Sequence, residues 1–186
     1  MNTATEKKVG LVTGVFSTRE NAERAYDSLI QKGYQQDEIT VLMSDKTRDT
    51  HFDDNTDRHD AKHRDSDLGN KAMEGAGTGS AIGGTAGAIL GAIVATGVSV
   101  ALPGLGLVLA GPLAGGLIGA GAGGLTGGII GALIGAGIPK ERAERYEKHI
   151  KDGNIVIGIT PRDENDAIAI QEDWRSYQGE DIYYNG

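Results

Sequence analysis

The segment VGLVTGVFSTRENAERAYDSLIQKG, residues 9–33, changes its hydrophobic period once, and that change decides the fold. Residues 9–16 alternate and are rich in β-branched types, so they read as a strand. Ser17 followed by Glu20 has the spacing of a capping box, in which a hydroxyl meets a free helix N–H. Ala22, Ala25, Tyr26, Leu29 and Ile30 then fall on one helical stripe. Gly33 ends that helix by supplying a left-handed residue. EITVLMS, residues 38–44, is a second strand. The order is β-α-β.

The C-terminal part repeats the plan. NIVIGIT, residues 154–160, is a strand. Thr160, Pro161 and Asp163 make a helix start, with proline at the first helical position. Ala167, Ile170 and Trp174 give the helix stripe, Gly179 ends it, and DIYY, residues 181–184, closes the chain with a short strand. GVFSTRENAERA and GITPRDENDAIA are alike in layout and read as two halves of a pseudo-repeat. Two such halves predict an α+β, ferredoxin-like sandwich, an antiparallel sheet with two helices on one face. A long insertion splits it. The divisions are 8–43 for the first half, 44–71 for a polar acidic loop, 72–138 for a glycine-rich helical hairpin, 139–152 for an amphipathic helix, and 153–186 for the second half. In the amphipathic helix, Ala143, Tyr146 and Ile150 share one side.

The glycines of the insertion keep a period. Gly75, Gly79, Gly83, Gly87 and Gly91 recur every four residues. After the break ALPGLGLVLAGP the spacing resumes at Gly111, Gly115, Gly119, Gly123, Gly127, Gly131 and Gly135. A structureless linker holds no such period, and a strand would show two. Period four is a helix ridge. Ile129 and Leu133 fall on a neighbouring branched row, so one side of the helix is nearly bare backbone. Small-xxx-small rows let helices approach closely. These glycines are therefore the candidate packing residues, and a homo-oligomer is the expected assembly. The ridge turns by about 40° per step, so one straight partner cannot follow it.

The uncharged run from Gly75 to Pro139 is long enough for two membrane crossings of roughly 20 residues each. The break at Pro103, Gly104 and Gly106 is then the hairpin tip. Lys71 before the run, and Lys140, Arg142 and Arg145 after it, predict a domain facing the cytoplasm from the inner membrane, with lipid as a partner. The alternative is a cytoplasmic soluble oligomer, a ligand- or metal-sensing module whose hairpin is only an assembly element.

Composition narrows the function. The net charge is -8, and no basic stripe is visible, which argues against a nucleic-acid partner. There are no cysteines, so thiolate metal sites and disulfides are excluded. The N-terminus lacks the pattern of a secretory signal. Gly119, Gly121 and Gly124 spell G-x-G-x-x-G, yet no strand precedes them and no acidic residue follows at the dinucleotide spacing. His51, His59 and His63 stand among aspartates and are weak metal candidates; the segment has no apolar frame to orient ligands, so a solvated acidic linker is the plainer reading. No nucleophile–base pair has supporting context, so no catalytic residue and no cofactor is assigned, and a non-enzymatic role is expected.

VTGVFSTRENAERA, ITVLMSDKTRDTHF, the glycine hairpin and GIPKERAERYEKHIKDGNIVI together resemble the bacterial general stress proteins, the heat-induced stress protein or general stress protein 17M-like domain. The resemblance covers nearly the whole chain. It implies a stress-linked, non-enzymatic role and brings no catalytic residues. The hairpin is also similar to glycine-zipper segments of some envelope lipoproteins, whose lipidated cysteine is missing here.

Overall fold

A computed structural model describes residues 10–52, 100–102, 106–114, 128–135 and 138–186. The elements in chain order are β1 (Val12–Phe16), α1 (Arg19–Gln31), a 3-10 turn (Gln36–Glu38), β2 (Thr40–Ser44), α2 (Asp45–His51), β3 (Val100–Leu102), β4 (Leu107–Ala110), α3 (Gly128–Gly135), α4 (Lys140–Lys151), β5 (Ile155–Ile159), α5 (Glu164–Ser176) and β6 (Glu180–Tyr184). The fold is mixed α and β. The strands form one six-stranded sheet in the order β3-β4-β2-β5-β1-β6. Every pairing is antiparallel.

Period-two alternation assigns the sheet residues to two layers. Val12, Phe16, Val41, Met43, Ile155 and Ile157 face α1 and α5. Val15, Leu42, Leu107, Leu109 and Val156 face the other way, under α3 and α4. This differs from the expected two helices on a single face. Both faces are covered, because the tail of the insertion folds back over the sheet. The strands β1, β4 and β5 are accordingly buried along their whole length.

The helix stripes match the apolar spacing. Ala143, Tyr146 and Ile150 are the buried residues of α4, and Ala167, Ile170 and Trp174 those of α5. On α1, Ala22, Ala25, Tyr26 and Leu29 are buried, whereas Ile30 is 38% exposed at the stripe's edge. Gly33 and Gly153 have φ of 84° and 97°, the left-handed stops expected after α1 and α4.

Several local readings need correction. The cap of α1 is Thr18, whose side chain accepts from the Asn21 N–H, because Thr18 is the last extended residue before the helix. Residues 45–51, expected as loop, form α2: the Ser44 hydroxyl caps the Thr47 N–H, and Thr47 and Phe52 are buried to anchor the turn. Helix α5 begins at Glu164 with Asp163 as cap, so Pro161 lies ahead of the helix. Its left-handed stop is Gln178, with φ of 58°, and not Gly179.

The largest correction concerns 72–138. Residues 100–102 and 107–110, expected around a helical hairpin tip, are strands, and β4 pairs with β2 from Val41↔Ala110 to Ser44↔Leu107. A four-residue apolar run reads alike in either structure, and here the open edge of β2 decides it. Gly111 therefore leaves the helical row. Its φ is 85°, and a Cβ there would stand 2.1 Å from the Ile39 carbonyl oxygen.

Candidate functional site

In the glycine-rich stretch the described helical residues are 112–114 and helix α3. Ile129 and Leu133, one turn apart, are buried beside Ala143, Tyr146 and Ile150 of α4. The Ile138 N–H closes the C-terminal end on the Leu133 carbonyl at 3.0 Å. Pro139 then serves as N-cap of α4, its carbonyl accepting from the Arg142 and Ala143 N–H groups. The branched row of α3 is thus spent inside the molecule. On the opposite side Ile134 is 43% exposed, Gly135 is exposed and Gly131 is half-buried. The sequence of α3, GIIGALIG, has no charged or hydrogen-bonding side chain. Each glycine costs roughly 1 kcal/mol of helix propensity relative to alanine, so a bare outer face is maintained at some expense to the isolated helix.

A polar cluster fastens α4 to the last strand. Strand β6 bulges against β1 between the pairs Thr13↔Tyr183 and Val15↔Glu180. Asp181 sits in that bulge with φ of 45°. Its Oδ1 accepts from the guanidinium groups of Arg142 and, at 3.3 Å, Arg145. Arg142 also lies over the Tyr183 ring, 4.3 Å from the centroid. Tyr146 shares a hydrogen bond with the Thr13 hydroxyl and points its own at the Asp181 carbonyl, 3.5 Å away. Burial pushes the Tyr146 phenol up to about 12, with the Thr13 hydroxyl acting in the opposite direction.

A second polar joint ties the two pseudo-repeat halves on the other face. The Tyr34 hydroxyl donates to Asp166, and the Arg162 N–H donates to both groups at 3.1 Å. The Arg162 side chain donates to the Lys32 and Gly33 carbonyls at 3.0 and 2.7 Å and covers the Tyr34 ring. A cation at the last carbonyls of α1 is favourably placed against the helix dipole. Burial first, and then the hydrogen bond to Asp166, raise the Tyr34 phenol above its ordinary value. These joints pair most of their polar groups internally, Asp181 Oδ2 excepted, and neither shows a nucleophile beside a base.

No protein-family profile, curated protein or solved structure matches this chain at a significant level.

The residues singled out from sequence are placed unevenly. His51 ends α2, and its carbonyl accepts from Arg19. His59 and His63 lie outside the described residues, as do Gly75, Gly79, Gly83, Gly87, Gly91, Gly115, Gly119, Gly123 and Gly127. Among the described residues no group of three or more His, Cys, Asp or Glu side chains gathers as a metal site. Among them, too, no helix is long and apolar enough to cross a membrane. Gly131 and Gly135 lie in helix α3, half-buried and exposed respectively. The sequence does not show Asp181, Arg142 and Arg145 as a group: Asp181 is far along the chain from the two arginines, and the bulge brings it to them.

Proposed function

We propose that this chain is a non-enzymatic, self-assembling protein of the general-stress type. In this reading a ferredoxin-like domain carries a glycine-rich insertion, and bare helix faces of the insertion pack against other copies. The strand order β6-β1-β5-β2 supports the ferredoxin-like core, with the β3–β4 hairpin added at the β2 edge. The single observation that carries the assembly reading is the orientation of α3. Its branched residues Ile129 and Leu133 are satisfied within the chain, while the branched Ile134 and the bare Gly135 stay exposed as an uncharged surface that a second copy would cover.

The strand β4 weighs against a membrane hairpin with its tip at residues 103–106. Pairing with β2 returns the chain to the sheet between the two apolar segments, 75–99 and 111–138. Each apolar segment is shorter than the ~40 residues that two crossings take. A homo-oligomer covered by protein, with any lipid contact confined to the bilayer surface, fits these lengths.

Sedimentation velocity of the purified full chain tests the proposal. An oligomer without detergent, reduced to monomer by Ile134→Lys, is the expected result. A wild-type monomer at all concentrations, or an oligomer unchanged by Ile134→Lys, would refute it. Recovery only in the membrane fraction would restore the bilayer reading.

A further inference from the structure

We infer that Asp181 is a conformational latch that holds the α3–α4 layer onto the sheet. Its consequence for assembly rests on the function proposed above; the latch itself rests on geometry alone.

Three observations converge. Asp181 is a non-glycine residue at φ of 45°, a region that glycine enters at lower cost. Its carboxylate is only 14% exposed, and it binds two cations three residues apart on α4, Arg142 and Arg145. Its second oxygen, Oδ2, is buried without a hydrogen-bond partner. A charge with one oxygen paired and the other dry has little reserve: while α4 is docked the arginines compensate it, and once α4 lifts, water does so instead. Two discrete arrangements of similar free energy are the requirement for a switchable element.

The rest of the layer is built to move with the latch. The apolar hold of α4 is a single stripe of Ala143, Tyr146 and Ile150 on an otherwise charged helix. Helix α3 precedes it by only a short connection through Ile138 and Pro139. Docked, the layer buries Ile129 and Leu133 and shows the bare face of α3. Released, it exposes the branched face as well. Asp181 is a positioning residue for that choice.

Hydrogen exchange of the full chain, resolved by peptide, tests this with Asp181→Asn, Asp181→Gly, Arg142→Gln and the double variant Asp181→Asn/Arg142→Gln. Exchange across residues 140–151 is expected to quicken about tenfold in each single variant, with β1 and β5 unchanged. The double variant is expected to match Asp181→Asn, since Arg142→Gln removes one of the two ion pairs that Asp181→Asn already removes. Asp181→Gly relaxes the backbone, so protection at or above wild type in that variant would assign the residue to the bulge alone and overturn the latch. Unchanged exchange in Asp181→Asn, or a uniform rise over the whole sheet, would overturn it too. Should Asp181→Gly not fold, Arg142→Gln leaves the backbone at residue 181 untouched while removing the charged donor, and wild-type protection of 140–151 there counts against the latch. Sedimentation of the wild type reads the assembly proposal separately, so either can fail alone.

Discussion

Gly14 of β1 lies directly beneath the Trp174 indole of α5: a Cβ on residue 14 would stand 2.7 Å from Trp174 Cε3. Trp174 is fully buried and meets Phe16 edge-on, with ring centroids 5.7 Å apart. The missing side chain at residue 14 is therefore what lets the largest core residue rest on the sheet. Gly14→Ala should cost roughly 1–3 kcal/mol, the range of overpacked cores. Urea denaturation measures it. Trp174→Phe in the Gly14→Ala background should cost less than in the wild type, because the smaller ring makes room. Additive losses would contradict the contact.

The β3–β4 hairpin holds two left-handed glycines in unlike surroundings. A Cβ at Gly111 meets the Ile39 carbonyl at 2.1 Å, whereas one at Gly106 meets nothing within 4 Å. Gly106→Ala should cost only the backbone strain, about 1–2 kcal/mol. Gly111→Ala adds a collision with backbone that cannot rotate away, so it should detach β4 from β2. Loss of amide protection over Thr40–Ser44 in Gly111→Ala, and its retention in Gly106→Ala, is the expected contrast.

Asp27 gives a pH dependence at the acid end. Burial, and secondarily the Glu23 carboxylate, raise its carboxyl above the ordinary 3.8. A raised folded value favours the protonated form, so the contribution to stability is full below 3.8 and is lost as pH climbs through the folded value. Asp27→Asn should therefore melt above the wild type at neutral pH. The gap should close as pH falls below 3.8. A gap that widens in acid would reverse the sign and exclude burial as the cause.

At the alkaline end, Tyr26, Tyr34 and Tyr146 are all raised above 10.0, chiefly by burial. The stability tied to Tyr146 is full below 10.0 and is lost as pH rises through about 12. Ultraviolet phenolate absorbance should show three of the six tyrosines ionising only together with unfolding. Replacing Tyr146 with Phe should remove one of these late ionisations and loosen the Thr13 contact. Six tyrosines ionising in the folded state would contradict their burial.

Strong periodicity made much of this legible. The stripes of α4 and α5 were readable residue by residue, because each buries an uninterrupted 3.6-period face on the sheet. The four strands of the two pseudo-repeat halves were readable from short alternating or β-branched runs bounded by turn residues. The β4 strand was not: Leu107–Ala110 has no internal signal that separates strand from helix, and the free hydrogen-bonding edge of β2 is a tertiary fact. Helix α2 was hidden by its polarity, since Thr47 and Phe52 alone bury it. The glycine face of α3 was legible as a face, but not its direction, which depends on α4 taking Ile129 and Leu133. Asp181 was invisible because its role comes from a bulge that joins it to arginines on another helix.

Because the chain has no cysteine, a single introduced thiol reports one surface alone. Ile134→Cys, on the exposed side of α3, is the most direct measurement of assembly through that face. A disulfide needs Cα atoms within about 7 Å, so only close packing of two such helices can form it. Mild oxidation of the purified protein should give a covalent dimer at Cys-substituted position 134, while the same thiol placed at exposed Ile168 of α5 stays monomeric. Equal crosslinking at both positions, or none at position 134, would contradict self-assembly through the bare face of α3.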